Sequence, residues 1–419
     1  MTVPKQHLDL SSGPLPIVAW IGPCREQITA KTMADLAAAH FNLSLSEVTP
    51  GKIREQLDLA HAAGIRLIIG LPGLRVGPGT VTAEWKQRFR KVIAEVRSHP
   101  GLYGYYIADE PRVPLRRDVA AAMRFFAEED PDHLPYCNHW TVNMSYAGYR
   151  SYEEMWELYA AEAQPWFVST DGYPFQPVSE EQWAEERAKG NPCYFPRHRV
   201  RMHPHYFEML DILRQYSRIL KVPLWHCIFS VGAYSNEPRV AEGEVRFQAM
   251  VSLAYGVQGI QYFSYAHGGM LMDERTLEPT ANWHIAKKIN GEIRTWEPTL
   301  KKMRSIGVYH YPHNLPYTRP LDMFLLGNKD DLVARGDACV VGQFVDDEGW
   351  EYALIVNRTP YEPAEVSFHF GTDGDVLELS AGNGQWGKPY PYNPRKMPLH
   401  FEPGQGRLFR YRRDITIAP

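Results

Sequence analysis

The chain has 419 residues, of which 44% are hydrophobic and 22% are charged, so it can bury a large core and is too apolar for intrinsic disorder. Its 45 Lys and Arg nearly balance 49 Asp and Glu, and the net charge of −4 argues against nucleic acid as the main partner. There is no run of about 18 apolar residues, so no membrane-spanning helix is predicted. Aromatic residues are in excess, at 12% of the chain.

Residues 1–14 are predicted to form an N-terminal extension that lacks the pattern of a signal peptide. No basic segment is followed by an apolar stretch of sufficient length. We therefore expect a cytoplasmic protein, or a secreted or periplasmic one if a leader has been removed. The five cysteines are widely spaced and include no C-x-x-C pair, which argues against a disulfide scaffold or a zinc ribbon.

From residue 15 to about residue 300, short apolar runs alternate with longer segments of helical period. Continuous apolar strands that alternate with helices indicate parallel strands covered by helices. Eight such units are typical of a (β/α)8 TIM barrel, which we place at residues 15–304. A doubly wound open sheet is the alternative, but no Gly-rich dinucleotide loop follows the first run. The predicted strands lie within Leu15–Gly22, Phe41–Ser46, Arg66–Pro72, Tyr103–Pro111, Leu134–Trp140, Trp166–Phe175, Pro223–Gly232 and Ile260–His267.

Residues 305–419 have a different pattern, with short alternating runs separated by turns. Several short strands at nearly regular spacing indicate a small antiparallel β-sandwich domain. This domain is expected to be a structural appendage, and a sugar-binding accessory role is the alternative.

The fourth predicted strand ends in two adjacent acids, Asp109 and Glu110, followed by Pro111. Active sites of TIM barrels lie at the C-terminal ends of the strands, and adjacent strand residues point to opposite sides, so at most one of the two acids is expected to face the mouth. A carboxyl group in a partly apolar pocket holds its proton near neutral pH, which suits a general acid. We expect Glu110 to have this role, with ion pairing or helix capping as the alternative.

A second acid, Asp171, follows the sixth strand, and aromatic residues surround the other strand ends. Aromatic faces stack on the C–H faces of sugar rings, so this mixture favours a carbohydrate ligand. Asp171 could instead cap the turn that follows it, and some of the aromatic residues must fill the barrel. The predicted substrate-binding residues are Trp20, Asp109, Asn138, His139, Trp140, Tyr173, His226, Tyr234, Tyr262 and Tyr265.

Two further sets of residues are alternatives for the site. The seventh strand contains no carboxylate, and the nearest one is Glu237 in the following loop. The motif His203-Pro-His205, with His139, His226 and Asp171, could form a metal site, but an H-x-H motif is frequent by chance among 16 histidines. Neither a metal nor another cofactor is therefore predicted.

The stretch G-Y-Y-I-A-D-E-P, residues 104–111, resembles the TIM-barrel glycoside hydrolases of the clan A type, including β-galactosidase-like and glucanase-like members. The segment from Arg239 to Arg246, which continues through Ala254 to Tyr265, resembles them too. The resemblance covers roughly residues 15–300. It implies that the acid/base is a Glu at the end of the fourth strand, which is Glu110 here.

The resemblance also implies a nucleophilic Glu at the end of the seventh strand, where this sequence offers His226, Ser230 and Tyr234 instead. We therefore expect a glycoside hydrolase in which Glu110 is the acid and Asp171, or less favourably Glu237, is the second carboxylate. A carbohydrate-binding barrel without catalysis and a metal-dependent hydrolase or lyase are the alternatives. No oligomeric state is predicted.

Overall fold

The structure is a computed structural model, and it describes residues 13–142, 147–190, 194–195, 197–198, 200–232, 238–315, 318–321, 334–368, 370, 372, 374–388 and 398–412. The chain forms two compact units. The first comprises Met1–Gly172, Ile212–Ser230 and Gln258–Asn290. The second comprises Tyr173–Asp211, Val231–Val257 and Gly291–Pro419. The predicted boundary between residues 304 and 305, which separates the barrel from the C-terminal domain in the sequence, stays a prediction.

Strands and helices are numbered here in chain order. The strands are β1 (Ile17–Trp20), β2 (Leu43–Glu47), β3 (Arg66–Gly70), β4 (Leu102–Asp109), β5 (Leu134–Asn138), β6 (Val168–Asp171), β7 (Phe175–Pro177), β8 (Tyr194–Phe195), β9 (Val200–Met202), β10 (Leu224–Phe229), β11 (Gly259–Phe263), β12 (Arg304–Tyr311), β13 (Ala334–Gly336), β14 (Cys339–Val345), β15 (Glu351–Asn357), β16 (Ala364–Phe368), β17 (Leu377–Leu379), β18 (Leu399–Phe401) and β19 (Gly406–Tyr411). The α-helices are α1 (Ala30–Ala38), α2 (Ile53–Ala62), α3 (Ala83–Val96), α4 (Arg116–Glu129), α5 (Tyr152–Ala163), α6 (Glu180–Lys189), α7 (Tyr206–Leu220), α8 (Pro238–Ala254) and α9 (Ala281–Leu300). In the described part of the chain, no helix is both long enough and apolar enough to cross a membrane.

The first unit is built on one parallel sheet of eight strands, in the order β5-β4-β3-β2-β1-β11-β10-β6. A parallel bridge between His139 and Thr170 joins the two edges of this sheet and closes the barrel. Each strand coincides with one of the eight predicted apolar runs, although β2, β4 and β11 each extend one residue beyond the predicted range. The predicted (β/α)8 barrel is therefore confirmed.

Large side chains fill the barrel interior, as the geometry of a closed eight-stranded barrel requires. Along each strand, alternate residues point inward, and the others face the covering helices. In β10, for example, Trp225 and Cys227 belong to the interior cluster. The residues of this cluster include Val18, Trp20, Leu43, Leu45, Ile68, Tyr106, Leu134, Tyr136, Phe167, Trp225 and Cys227.

The second unit contains antiparallel sheets, as the sequence pattern predicts. A five-stranded sheet has the order β12-β14-β15-β19-β17, and a three-stranded sheet has the order β13-β16-β18. Side chains from both sheets form one buried cluster, which confirms a sandwich. This cluster includes Val341, Ile355, Val366, Phe401 and Phe409.

Helix α8 belongs to the second unit and packs against β14, β15 and β19 of the five-stranded sheet. Glycines permit this close approach. A Cβ atom added at Gly342 would lie 2.3 Å from the Ala254 carbonyl oxygen, and one at Gly406 would lie 3.1 Å from Met250 Sδ. The absence of side chains at these two sheet positions therefore lets α8 pack directly against the sheet.

The sequence analysis missed the elements between β6 and α7, namely α6 and a small sheet of β7, β9 and β8. Helix α6 had a readable signal, because Ser179 caps it and Gln182 completes the capping box. The small strands have two or three residues each, which is too short for a periodic pattern.

Candidate active site

The ends of β4 and β6 bring three carboxyl groups together in the first unit. Asp109 is the last residue of β4, and the backbone N–H of Glu110 donates to the Asn138 carbonyl oxygen at 2.9 Å. Glu110 has a left-handed backbone with φ of 46°, which is uncommon for a residue other than glycine. This turn breaks the strand alternation, so both acids of the pair lie in one cluster with Asp171, where only one was expected.

The surroundings of Glu110 favour its protonated form. Burial is the largest cause, and the charges of Asp171 and Asp109 add to it, so that the pKa of Glu110 is raised to about 9. A side-chain hydrogen bond with Asp171 acts in the same direction. Glu110 is thus a carboxylic acid that can donate a proton at neutral pH, next to a second carboxyl group that can accept one.

Opposing effects act on the pKa of Asp109. Burial raises its pKa, while Arg75 and hydrogen bonds from Asn138 and Tyr106 oppose this effect. The Arg75 guanidinium also lies over the Tyr106 ring, 5.2 Å from its centroid. Arg75 therefore brings a cation to the acidic side of the mouth. The sequence analysis missed it, because an arginine in the long loop after β3 carries no distinguishing signal.

The opposite side of the mouth is aromatic, and its residues come from the ends of β10, β11 and β1. The Trp20 and Phe263 rings are 5.2 Å apart, and the Phe263 and Phe229 rings are 6.4 Å apart and nearly parallel. Phe229 is the last residue of β10, where the resemblance implied a nucleophilic Glu. The mouth of the barrel thus has an acidic side formed by β4 and β6, and an aromatic side.

A series of hydrogen bonds crosses the barrel interior and ends at Asp109; we call it the interior hydrogen-bond relay. Trp20 Nε1 donates to Tyr136 Oη at 2.9 Å, which donates to Gln261 Oε1 at 2.6 Å. Gln261 Nε2 donates to Ser169 Oγ at 2.8 Å, which donates to Asn138 Oδ1 at 2.9 Å. Asn138 Nδ2 then donates to Asp109 Oδ1 at 3.4 Å. The relay consists of Trp20, Tyr136, Gln261, Ser169, Asn138 and Asp109.

Two of the predicted binding residues, His139 and His226, do not face the mouth. His139 is buried against Trp156 and Tyr159 of α5, with ring centroids 4.9 Å and 3.9 Å away. His226 is fully buried and alternates along β10 with the interior residues Trp225 and Cys227, so it faces the helix layer. Both histidines are part of the packing behind the site.

Burial lowers the pKa of His139 to about 3, which has a consequence for stability. The unfolded chain binds a proton at this histidine below about pH 6.5 and the folded chain does not, so this term costs stability as the pH falls from about 6.5 towards 3. The free energy of unfolding of wild type should fall when the pH is lowered from 7.5 to 5. We expect this decrease to be about 2 kcal/mol smaller in a His139→Phe variant. Urea unfolding at the two pH values measures this difference.

The control for that experiment is His284→Phe, a substitution of the same type at an exposed position of α9. This variant should keep the pH dependence of wild type. An equal pH dependence of His139→Phe and wild type would show that His139 does not stay neutral in the folded protein.

Two further predicted residues, Tyr262 and Tyr265, also face the helix layer. Tyr262 Oη donates to Asn290 Oδ1 of α9 at 2.7 Å. The rings of both tyrosines pack edge-on against Phe41, at 5.3 Å and 5.5 Å. The structure therefore places both tyrosines away from the cluster around Glu110.

The remaining predicted residues have varied positions. Trp140 is buried, and its carbonyl oxygen accepts the Thr170 hydroxyl at 2.8 Å. Tyr173 is half-buried and is the first residue of the second unit. Tyr234 and Glu237 lie outside the described residues.

The histidines considered for a metal site are distributed over both units. His203 and His205 belong to the second unit, whereas His139, His226 and Asp171 belong to the first. Among the described residues, no group of three His, Cys, Asp or Glu side chains is arranged to hold a metal ion.

Comparison with solved structures reveals the relatives of this fold. A structure described as a glycoside hydrolase has a TM-score of 0.54 at 11% identity, covering 97% of this chain and 99% of that one. A glycoside hydrolase family 5 protein from Bacteroides vulgatus has a TM-score of 0.52 at 12% identity, covering 98% of this chain and 94% of its own. The chain shares the fold of these two structures.

The match to the glycoside hydrolase fold includes both the barrel and the C-terminal sheets, because nearly the whole of each chain is covered. No protein-family model and no curated protein sequence matches this chain. At identities of 11% and 12%, this likeness shows a shared fold and nothing about activity.

Proposed function

We propose that the protein is a glycoside hydrolase that cleaves an O-glycosidic bond in an oligo- or polysaccharide. The observation that carries this proposal is the pair of Glu110, whose pKa is raised to about 9, and its hydrogen-bonded neighbour Asp171 at the barrel mouth. Glycoside hydrolysis needs one carboxylic acid and one carboxylate on either side of the scissile bond. The shared fold with glycoside hydrolases supports the same conclusion.

In the proposed reaction, Glu110 donates its proton to the leaving glycosidic oxygen as the bond from that oxygen to the anomeric carbon breaks. Asp171 either attacks the anomeric carbon or takes a proton from the water molecule that does. Retention requires carboxyl groups about 5–5.5 Å apart and inversion requires roughly 6.5–9.5 Å. The separation of the Glu110 and Asp171 carboxyl groups in the substrate complex therefore decides between the two outcomes.

The rest of the mouth suits a sugar ring. The half-buried Phe229 and Phe263 offer aromatic faces for the apolar C–H faces of the ring, and the buried Trp20 packs behind Phe263. Asp109 and Arg75 on the opposite side can hydrogen-bond to hydroxyl groups. We therefore propose that the sugar at the cleavage point lies between these two sides.

One observation favours a second candidate, a carbohydrate-binding barrel that does not catalyse. Phe229 occupies the end of β10, and β10 contains no carboxylate in its six described residues. If Asp171 serves only to hold the proton of Glu110, the site binds a glycan and leaves it intact. Glu237, which lies outside the described residues, is a less favoured second carboxylate.

Incubation of the purified protein with a broad panel of glycans, followed by mass spectrometry of the products and by binding measurements, tests both candidates. Release of a shorter glycan supports the hydrolase, and NMR of the fresh product then reports whether the anomeric configuration is retained or inverted. Binding without release over long incubation supports the carbohydrate-binding barrel. Neither binding nor release on the whole panel would contradict both.

A further inference from the structure

The interior hydrogen-bond relay has only one consistent direction. An indole N–H can donate but not accept, so Tyr136 Oη must accept from Trp20 and use its own hydrogen for Gln261 Oε1. This fixes the amide of Gln261, whose nitrogen then faces Ser169 Oγ. The Ser169 hydroxyl, having accepted this bond, donates to Asn138 Oδ1.

The last step turns the amide nitrogen of Asn138 towards the site. Because Asn138 Oδ1 is held by Ser169, the Asn138 Nδ2 group is left to donate to Asp109 Oδ1, at 3.4 Å. The five donors of the relay are at most 5% exposed, so water does not compete for these bonds. Residues on β1, β5, β11 and β6 thus control the orientation of one amide beside β4.

We propose that Tyr136, Gln261 and Ser169 are positioning residues, which fix the amide of Asn138 so that it donates to Asp109 beside Glu110. This inference concerns the site of the proposed function, but its test does not need a substrate. None of the three touches Glu110. They act through Asn138 and Asp109.

The relay has an electrostatic consequence for Asp109. The hydrogen bond from Asn138 favours the charged form of Asp109 and so lowers the pKa of Asp109 against the opposing effect of burial. Breaking the relay removes or weakens this hydrogen bond, and the pKa of Asp109 should therefore rise.

Other groups face the two acids and stay the same when the relay is broken. Asp171 on β6 faces Glu110, with its charge and a hydrogen bond that raise the pKa of that residue. Arg75 after β3 and Tyr106 on β4 face Asp109 and lower its pKa. The thiol of Cys137 on β5 also lies within the field of Asp109. None of these groups belongs to the relay, so a change in the pKa of Asp109 that both relay variants share is assigned to the relay.

The experiment is a carbon-13 NMR titration of the Asp109 carboxyl group from pH 3 to pH 8, with the signal assigned by its absence in Asp109→Asn. Ser169→Ala removes the link to Asn138, and Tyr136→Phe removes a hydroxyl near the start of the relay, four hydrogen bonds away from Asp109. We expect each variant to raise the pKa of Asp109 by about one unit. The two variants break different hydrogen bonds of the relay, so if one variant is unstable the other still reports the pKa.

Tyr105→Phe is the matched control. Tyr105 is a fully buried tyrosine on β4 whose hydroxyl donates to Asp130 Oδ2 at 2.6 Å, outside the relay. It should lose stability like Tyr136→Phe but keep the pKa of Asp109. If Ser169→Ala and Tyr136→Phe also keep that pKa, these residues are structural only, and the inference is overturned even if the protein cleaves a glycan. A raised pKa of Asp109 without any glycan cleavage would leave the relay in place and remove the proposed function.

Discussion

Replacement of Glu110 by glutamine is expected to lower turnover on an unactivated glycan by about 10²–10⁴. The amide keeps the size of the side chain and its place beside Asp171, but it has no proton to give to the leaving oxygen. Stability should be unchanged or higher, because the ionised form of Glu110 is disfavoured by burial. Steady-state kinetics with the glycan found in the panel, together with thermal unfolding, measure both effects.

The matched control for this variant is Glu128→Gln, a substitution of the same type at an exposed position on α4. It should retain the turnover of wild type. Glu110→Gln with the same turnover as this control would remove Glu110 from the mechanism.

Replacement of Asp171 by alanine should lower turnover by about two orders of magnitude or more, because the second carboxylate is lost. It should also lower the pKa of Glu110, since Asp171 contributes both charge and a hydrogen bond to the raised value. Glu110 would then lose its proton at a lower pH. The residual activity of Asp171→Ala should accordingly decline at a lower alkaline pH than that of wild type, and a pH profile of kcat/KM measures this.

Added azide separates the role of Asp171 as the second catalytic carboxylate from its effect on the pKa of Glu110. A small anion can occupy the space left by the side chain and attack the anomeric carbon, so recovery of turnover with a glycosyl azide product would show that Asp171 is the nucleophile or the base for water. Asp375→Ala, at an exposed position in the second unit, is the control and should behave as wild type. Full turnover of Asp171→Ala without azide would direct the search for the second carboxylate to Glu237.

The eight barrel strands could be predicted because a parallel strand covered on both sides is apolar throughout, as in β3 and β5. Because Glu110 follows β4 and Asp171 ends β6, the sequence also predicted that both lie at the same end of the barrel. What the sequence pattern does not contain is the direction in which an individual side chain points. Histidine and tyrosine are compatible with either side of a strand, so His139 and Tyr262 were expected at the mouth although they pack against helices.

The interior hydrogen-bond relay was missed because a sequence pattern does not show which distant residues are hydrogen-bonded to each other. Ser169 and Gln261 are polar residues within apolar runs, and a single polar residue in a strand does not show which distant partner satisfies it. Tyr136 looked like an ordinary core residue. The hydrogen bonds that join them connect positions as far apart in sequence as Tyr136 and Gln261, and only the closed barrel brings these together.

Helix α8 has a consequence for truncation of the chain. It follows β10 along the chain and so corresponds to the seventh helix of the barrel sequence, yet it is fitted to the five-stranded sheet of the second unit. A chain that ended after residue 304 would lack β14, β15 and β19 and would leave the apolar face of this helix exposed. We therefore expect such a truncated chain to aggregate, although it would contain all eight strands of the barrel.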